Sequence, residues 1–161
     1  MRQPEERHYL DVLTDELSLK LGQAVWAFAR IEKLLFDYTK QLSKEDDLND
    51  LLGYQPIKKR IEIIKKLINA IENLNSEKQE ALACLDRVFK LSKDRNQIAH
   101  NPWSIWVDLE ERVFKTEIHD PQNKSQPINK QKITKFTKDA EELAFQLKNS
   151  LIPLTKTVRG F

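Results

Sequence analysis

The chain has 161 residues and a formal net charge of +2, with 32% charged and 40% hydrophobic residues. This length fits one domain that can bury a core, and the composition excludes an intrinsically disordered chain. The mildly basic balance permits nucleic acid as a partner without requiring it. We therefore expect a single domain over residues 1–161, with its core at about 14–152.

Cys84 is the only cysteine, so no disulfide can form within the chain and a reducing cytoplasm is the expected location. Its neighbours in sequence are apolar, which predicts a buried thiol. Residues 1–7 lack the apolar stretch of a signal peptide, and no apolar run reaches membrane-spanning length, so no membrane partner is expected. The sequence has no zinc-type cluster of cysteine and histidine, so we expect neither a metal nor a cofactor.

The first long helix is predicted from Thr14, as its N-cap, to Leu42. A short helix from Glu5 to Val12 precedes it or runs into it. Apolar residues recur along this helix at spacings of three, four and seven, which is typical of a buried stripe: Leu17, Leu21, Val25, Trp26, Phe28, Ile31, Leu34, Leu35, Tyr38 and Leu42. The acidic stretch from Ser43 to Gln55 is interpreted as a loop.

The next two helices are predicted on either side of a short break. Pro56 suits the first turn of a helix that continues to about Leu74. Ser76 and Gln79 form a capping-box pattern at the start of the third helix, which continues to the region of His100. Pro102 prevents that helix from continuing much further.

A change of period after Pro102 predicts a small β-hairpin at about residues 103–118, followed by a loop from His119 to Gln126. Asn129 can cap a last helix that Pro153 ends. The predicted fold is therefore all-α: a four-helix, up-down bundle with a small β-hairpin inserted before the last helix.

The stretch from Arg95 to His100 carries the chemistry that the sequence offers. Arginine has a permanent charge and a fork of donors that suits phosphate, and histidine exchanges a proton near neutral pH. Similar arginine–histidine spacings occur by chance from Arg2 to His8 and from Arg112 to His119. Only Arg95 has an amide neighbour, Asn96, and a helix that ends at the histidine.

On an ideal helix Arg95 and His100 lie about 140° apart, whereas Asn96 and His100 share a face. Either the helix is distorted near Pro102, or a two-fold dimer brings two copies of Arg95, Asn96 and His100 into one cleft. A structural alternative remains: Arg95 pairs with a carboxylate such as Asp94 or Asp139, Asn96 satisfies a loop carbonyl, and His100 caps the helix C-terminus.

The segment from Asp94 to Trp103, DRNQIAHNPW, resembles the signature of the HEPN superfamily. That signature is an arginine, a polar residue after it, and a histidine after four to six intervening positions, late in a helix. The resemblance covers about Leu17 to Leu151 and includes Arg30-Ile31-Glu32 in the first helix. It implies a four-helix bundle, a homodimer with the motif at its interface and, in many members, a metal-independent endoribonuclease that serves as a toxin or in phage defence, or travels on a mobile element.

The resemblance also implies roles for single residues. His100 would be the acid/base group, Arg95 would bind the phosphate, and Asn96 would orient both. Glu32 is a candidate helper carboxylate, or alternatively an exposed charge or an ion-pair partner. Trp103 is a candidate cleft-lining residue, although packing of this hairpin tryptophan on the bundle is favoured.

The expected partners are RNA as substrate, a second copy of the chain and an antitoxin protein. Members that pair with a nucleotidyltransferase antitoxin usually carry a tyrosine two positions after the histidine, and Pro102 here argues against that pairing. Two other functions fit the same residues. One is a non-catalytic dimer that binds RNA or a phosphate-bearing ligand, and the other is a protein-interaction adaptor in which Arg95 and His100 only complete the fold.

Overall fold

A computed structural model describes residues 4–43, 47–119 and 127–160 of the chain. Within these ranges the fold is mainly helical with one small antiparallel sheet, which confirms the predicted class at that level. Its elements in chain order are α1 (Pro4–Leu42), α2 (Leu48–Gly53), α3 (Ile57–Asn69), α4 (Asn75–His100), β1 (Trp103–Asp108), β2 (Val113–Ile118), β3 (Ile128–Asn129) and α5 (Lys130–Arg159).

The predicted hairpin is confirmed, and β1 pairs with β2 from Trp103 opposite Ile118 to Asp108 opposite Val113. Its turn is closed by Asp108, whose Oδ1 accepts hydrogen bonds from the backbone N–H groups of Glu110 and Glu111. A third strand, β3, pairs with the end of β2. The sequence did not predict β3, because two residues are too few to show an alternating pattern. Most of the predicted loop after His119 lies outside the described residues.

Helix α1 is continuous from Pro4, which confirms the alternative in which the short helix from Glu5 to Val12 runs into the first long helix, and the predicted N-cap at Thr14 is wrong. The Thr14 hydroxyl does not cap the helix; it donates a hydrogen bond to the carbonyl of Leu10, one turn earlier. Leu13 and Leu17 are both buried and lie one turn apart. The buried stripe therefore extends ahead of Thr14, and the helix continues with it.

The boundaries around α2, α3 and α4 differ from the prediction. The stretch read as a loop contains α2, in which Leu52 is buried. Helix α3 ends at Asn69 rather than near Leu74. The left-handed backbone conformations of Asn73 and Leu74 then separate it from α4, because a helix cannot contain them. Leu74 occupies the N-cap position of α4 without a side-chain capping bond, so the predicted capping box at Ser76 does not form.

Helix α5 begins as predicted and ends later than predicted. The side chain of Asn129 accepts a hydrogen bond of 2.9 Å from the backbone N–H of Lys132, which confirms the cap. Pro153 lies inside the helix, which continues to Arg159. The reason is that Leu154 is fully buried, so the apolar stripe continues past the proline, and Gly160 ends the helix in a left-handed conformation.

The first and last helices run parallel, which differs from the alternation of an up-down bundle. Glu16, in the first half of α1, contacts Lys130 at the start of α5 at 2.6 Å, and near the ends of both helices Gln41 accepts a hydrogen bond of 2.8 Å from Thr155. Helix α2 makes this parallel arrangement possible. Gly53 at the end of α2 lies against the ring of Phe36 on α1, so the chain turns back along α1 before α3 begins.

Helix α4 packs antiparallel to both α3 and α5. Lys65 contacts Asp86 at 2.5 Å, and Lys78 donates to the carbonyl of Ile71, so the end of α3 lies at the start of α4. On the other side of α4, Arg87 contacts Glu142, and Ile98 lines one groove with residues from the first turns of α5. The motif at the end of α4 therefore lies beside the beginning of α5.

The core lies between α1, α3, α4 and α5, and Cys84 is buried in it as predicted. Trp26 is not part of this core, contrary to the prediction: it is 73% exposed, and Val25 is exposed as well. The buried side of α1 is centred on Ala24, Phe28 and Ile31 instead. Small residues such as alanine mark this buried side, and the prediction gave too much weight to the large apolar residues.

Candidate functional site

Helix α4 places Arg95 on the side of the helix that faces the core. The preceding residues on that side, Leu85, Val88 and Ser92, are buried and follow each other at spacings of three and four. Arg95 continues this series by one more step, and its side chain is only 29% exposed. A cation at such a position must be paired, because burial without a partner is costly.

Three groups hold the guanidinium of Arg95. Nη1 donates a hydrogen bond of 3.2 Å to Oδ1 of Asn96, and Nη2 lies 3.7 Å from Oε1 of Glu32 on α1. The guanidinium carbon lies 5.9 Å from the centre of the Phe28 ring, within the range of a cation–π contact. The structure thus brings Arg95, Asn96 and the candidate helper Glu32 together.

The contact with Glu32 leaves Arg95 free to bind a further anion. At 3.7 Å the two groups form an ion pair without a close hydrogen bond. Guanidinium has five N–H donors, and within the described residues the bond to Asn96 is the one hydrogen bond that Arg95 donates. The remaining donors are the kind of group that binds a phosphate in a bidentate manner.

The structural alternative for Arg95 is met in kind, because Arg95 pairs with a carboxylate, although the carboxylate is that of Glu32 and not of Asp94 or Asp139. Glu32 is therefore an ion-pair partner, as one of its alternatives predicted. Asn96 accepts from Arg95 rather than donating to a loop carbonyl. Asp94 lines a different groove, which it shares with Asp139 at the contact between α4 and α5. Burial raises the pKa of the Asp94 carboxyl there.

His100 is the last residue of α4 and is exposed. Within the described part of the chain it forms no hydrogen bond or ion pair. The helix is regular up to this point, since the N–H of Asn101 donates to the carbonyl of Gln97, and the chain turns to an extended conformation only at Asn101. The distortion considered for the region of Pro102 is therefore absent from α4, and Arg95 and His100 point to different sides of the helix.

Trp103 begins β1 and packs against the hydrophobic core, which is the position that the packing alternative predicts. Its indole Nε1 is buried and has no hydrogen-bond partner among the described residues. Phe28 is the site residue that sequence reasoning assigned only to the core. The available signal was its position one turn before Glu32, on the same side of α1.

The described residues include no group of three histidine, cysteine, aspartate or glutamate side chains that could hold a metal ion. Within the same ranges, no helix combines the length and hydrophobicity needed to cross a lipid bilayer. Comparison with known proteins gives no match to any family model, curated protein or solved structure. The HEPN resemblance therefore stays a prediction.

Proposed function

We propose that the protein is a metal-independent endoribonuclease of HEPN type that works as a homodimer. One observation carries the proposal: Arg95 is held at a core-facing position of α4 by Glu32 and Asn96, and the exposed His100 ends the same helix five residues later. A tethered arginine with unused donors and an accessible histidine are the two groups that phosphodiester cleavage needs.

In the proposed reaction, His100 accepts the proton of the RNA 2′-hydroxyl while the 2′-oxygen attacks the adjacent phosphorus. The bond from phosphorus to the 5′-oxygen breaks, and the leaving oxygen takes a proton from water to become a 5′-hydroxyl, while His100 returns its own proton to the solvent. The other product carries a 2′,3′-cyclic phosphate. Arg95 neutralises the charge that builds up on the phosphorane, and Asn96 fixes the guanidinium. General acid–base help contributes roughly 10²–10⁴-fold, and preorganised charge usually contributes more.

The dimer is part of the proposal because one subunit presents Arg95 and His100 on different sides of α4. A second copy can supply the missing group if two α4 ends approach each other around a two-fold axis. Val25 is an exposed apolar residue on the side of α1 that carries Glu32, seven residues later, and it supports an association of this kind. We propose a cytoplasmic toxin or defence effector as the cellular role, with an antitoxin protein as a further partner.

A second candidate is a dimer that binds RNA or another phosphate-bearing ligand without cleaving it. The isolation of His100 favours this candidate, because none of the described residues orients its ring through a hydrogen bond or ion pair. The two candidates differ in their dependence on His100. Binding alone requires Arg95 and tolerates His100→Ala, whereas cleavage requires both side chains. If the protein were an adaptor, either substitution would change stability and leave RNA unaffected.

The test is cleavage of a broad set of RNAs by the purified protein in EDTA, compared with His100→Ala and Arg95→Ala variants whose folding is checked by circular dichroism. His119→Ala is the matched control, since this histidine is also exposed but lies at the end of β2. We expect 2′,3′-cyclic phosphate ends from the parent and the control, and at least a ~10²-fold loss in the two site variants.

Two results would contradict cleavage by this site. One is a parent protein that leaves every RNA intact, in which case RNA affinity decides between binding and an adaptor role. The other is a His100→Ala variant that cleaves as fast as the parent, which would remove the proposed acid/base group.

A further inference from the structure

The outer side of the α1–α5 pair contains a groove of about 560 Å³. Each residue that lines this groove belongs to one of the two parallel helices. On α1 the lining extends from Arg30 to Gln41, which is about 17 Å or three helical turns. The groove is therefore long enough to hold a helix of about 12 residues.

The groove lies on a different side of the molecule from the motif. On an ideal helix Arg30 points about 160° away from both Phe28 and Glu32, and these two residues contact Arg95. A dimer built around two α4 ends therefore leaves the groove open. It is a binding surface separate from the candidate site.

The floor of the groove is apolar. Phe145 and Ile152 lie seven residues apart on α5 and so form one row, and they are 66% and 49% exposed. Leu34 of α1 and the buried Leu151 continue this floor. An apolar floor between two helices suits the apolar face of a third helix, whose side chains it removes from water.

The walls of the groove carry unbalanced positive charge. Four cations line it, Arg30 and Lys33 on α1 and Lys148 and Lys156 on α5, against the single carboxylate of Asp37. This excess of three positive charges is larger than the net charge of +2 of the whole chain. Lys33 contacts Asp37 at 2.9 Å, whereas the other three cations are exposed and form no ion pair with the described residues. The groove therefore favours an anionic ligand.

The cations are distributed along the whole groove. Gln41 accepts a hydrogen bond from Thr155 at one end, so the adjacent Lys156 lies at that end. Arg30 lies at the other end, and Lys148, about two turns before Lys156, lies between them. A single-chain anionic lipid carries its charge at one end only, whereas an acidic helix carries charge along its length.

We propose that this groove binds an acidic amphipathic helix of a partner protein. The apolar face of that helix lies on Phe145 and Ile152, and its flanking carboxylates pair with the cations on both walls. Single-stranded RNA fits less well, because it stacks its bases on aromatic rings, and Phe145 is the one aromatic side chain among the described residues that line the groove. The inference goes beyond the proposed function and does not depend on it.

The probe for the test is a labelled synthetic peptide of about 18 residues, with leucine along one face and glutamate on both flanks. Fluorescence anisotropy measures its dissociation constant. Arg30→Glu combined with Lys148→Glu reverses one cation on each wall, and we expect at least ~10-fold weaker binding. The matched control combines Lys58→Glu with Lys90→Glu, two exposed positions on α3 and α4. It should stay within ~3-fold of the parent, because salt screens distant charges.

A second pair of variants tests the apolar floor. Phe145→Ala should weaken peptide binding at least ~10-fold, because a large apolar anchor contributes much of the free energy of binding. Leu19→Ala is the control, since Leu19 is similarly exposed on α1 but does not line the groove. Circular dichroism checks the folding of all variants. His100→Ala should bind the peptide as tightly as the parent does, which separates this surface from the nuclease.

Three results would overturn the proposal. The first is a parent protein that shows no saturable binding of the acidic peptide, or that binds equally well a peptide with lysine in place of glutamate. The second is binding of sodium oleate, weakened by Phe145→Ala, without binding of the peptide, which would assign the groove to an anionic lipid. The third is peptide binding that neither Phe145→Ala nor the double charge reversal weakens.

Discussion

Arg95 illustrates how much a single residue reveals before the fold is known. Its place in the motif and the candidacy of Glu32 both come from the sequence, and the structure brings the two side chains to 3.7 Å. Phe28 could not be assigned to the site in advance, because its contact depends on how α4 crosses α1. The exposure of Trp26 was missed for a similar reason, since an amphipathic pattern does not show which large residue is left outside.

The hydroxyl group of Tyr38 supports a prediction about the stability of the fold. Its ring is fully buried, its hydroxyl is 2.8 Å from Oγ of Ser150, and it donates to the carbonyl of Leu147 at 2.9 Å. Burial raises the pKa of this phenol, so it stays neutral. Tyr38→Phe removes these bonds and should lower the free energy of unfolding by about 1 kcal/mol.

Urea denaturation measures this effect, with Tyr54→Phe as the control because Tyr54 is almost fully exposed. An equal effect in the two variants would show that the buried hydrogen bonds of Tyr38 do not contribute to stability.

At the scale of elements, helix ends were the least predictable feature. The cap of α5 at Asn129 was predicted correctly, since asparagine there can satisfy a free N–H group by local geometry alone. The start of α4 was not, because Leu74 adopts a left-handed conformation that its residue type disfavours, so no local pattern in the sequence indicates it. The continuation of α5 beyond Pro153 was not predicted either, because it depends on the burial of Leu154 in the core.

The Asn129 cap predicts a measurable contribution to the stability of α5. Asn129→Ala leaves the N–H of Lys132 without its partner and should lower the free energy of unfolding by about 1 kcal/mol, within a usual range of 0.5–2. Asn75→Ala is the control, because Asn75 begins α4 and is exposed without a side-chain capping bond. Thermal unfolding of both variants measures the difference in the free energy of unfolding. An Asn129→Ala variant as stable as the parent would contradict the role of the cap.

The hairpin should depend on pH through Asp108. A hydrogen bond from Lys115 at 2.6 Å, together with the backbone N–H of Glu111, holds the pKa of Asp108 below its ordinary value. A lowered carboxyl pKa stabilises the folded form above the unfolded pKa of about 4, and this contribution is lost as the pH falls through the folded pKa.

The side-chain carboxyl carbon-13 signal of Asp108 should therefore keep its neutral-pH chemical shift down to about pH 4 and change below it. Asp108→Asn lacks this titrating signal, which assigns it. A carboxyl signal of Asp108 that already changes well above pH 4 would contradict the stabilising contact with Lys115.

At the scale of the whole molecule, the sequence predicted the number of long helices and the place of the hairpin but not the direction of packing. A parallel arrangement of α1 and α5 requires the return of the chain through α2, and nothing in the stretch from Ser43 to Gln55 distinguishes such a turn from an ordinary loop. The surface available to a second copy likewise depends on the assembled fold, because the exposed residues of α1 are known only once its buried side is known.

The most direct test of a shared site uses dimers of two different subunits, purified through two tags. An Arg95→Ala subunit paired with a His100→Ala subunit contains one complete site if each site takes Arg95 from one subunit and His100 from the other. We predict about half of the parental RNA cleavage in EDTA for this dimer, and none for the parent paired with a subunit carrying both substitutions. The reverse result, an inactive first dimer and a half-active second one, would contradict the shared site.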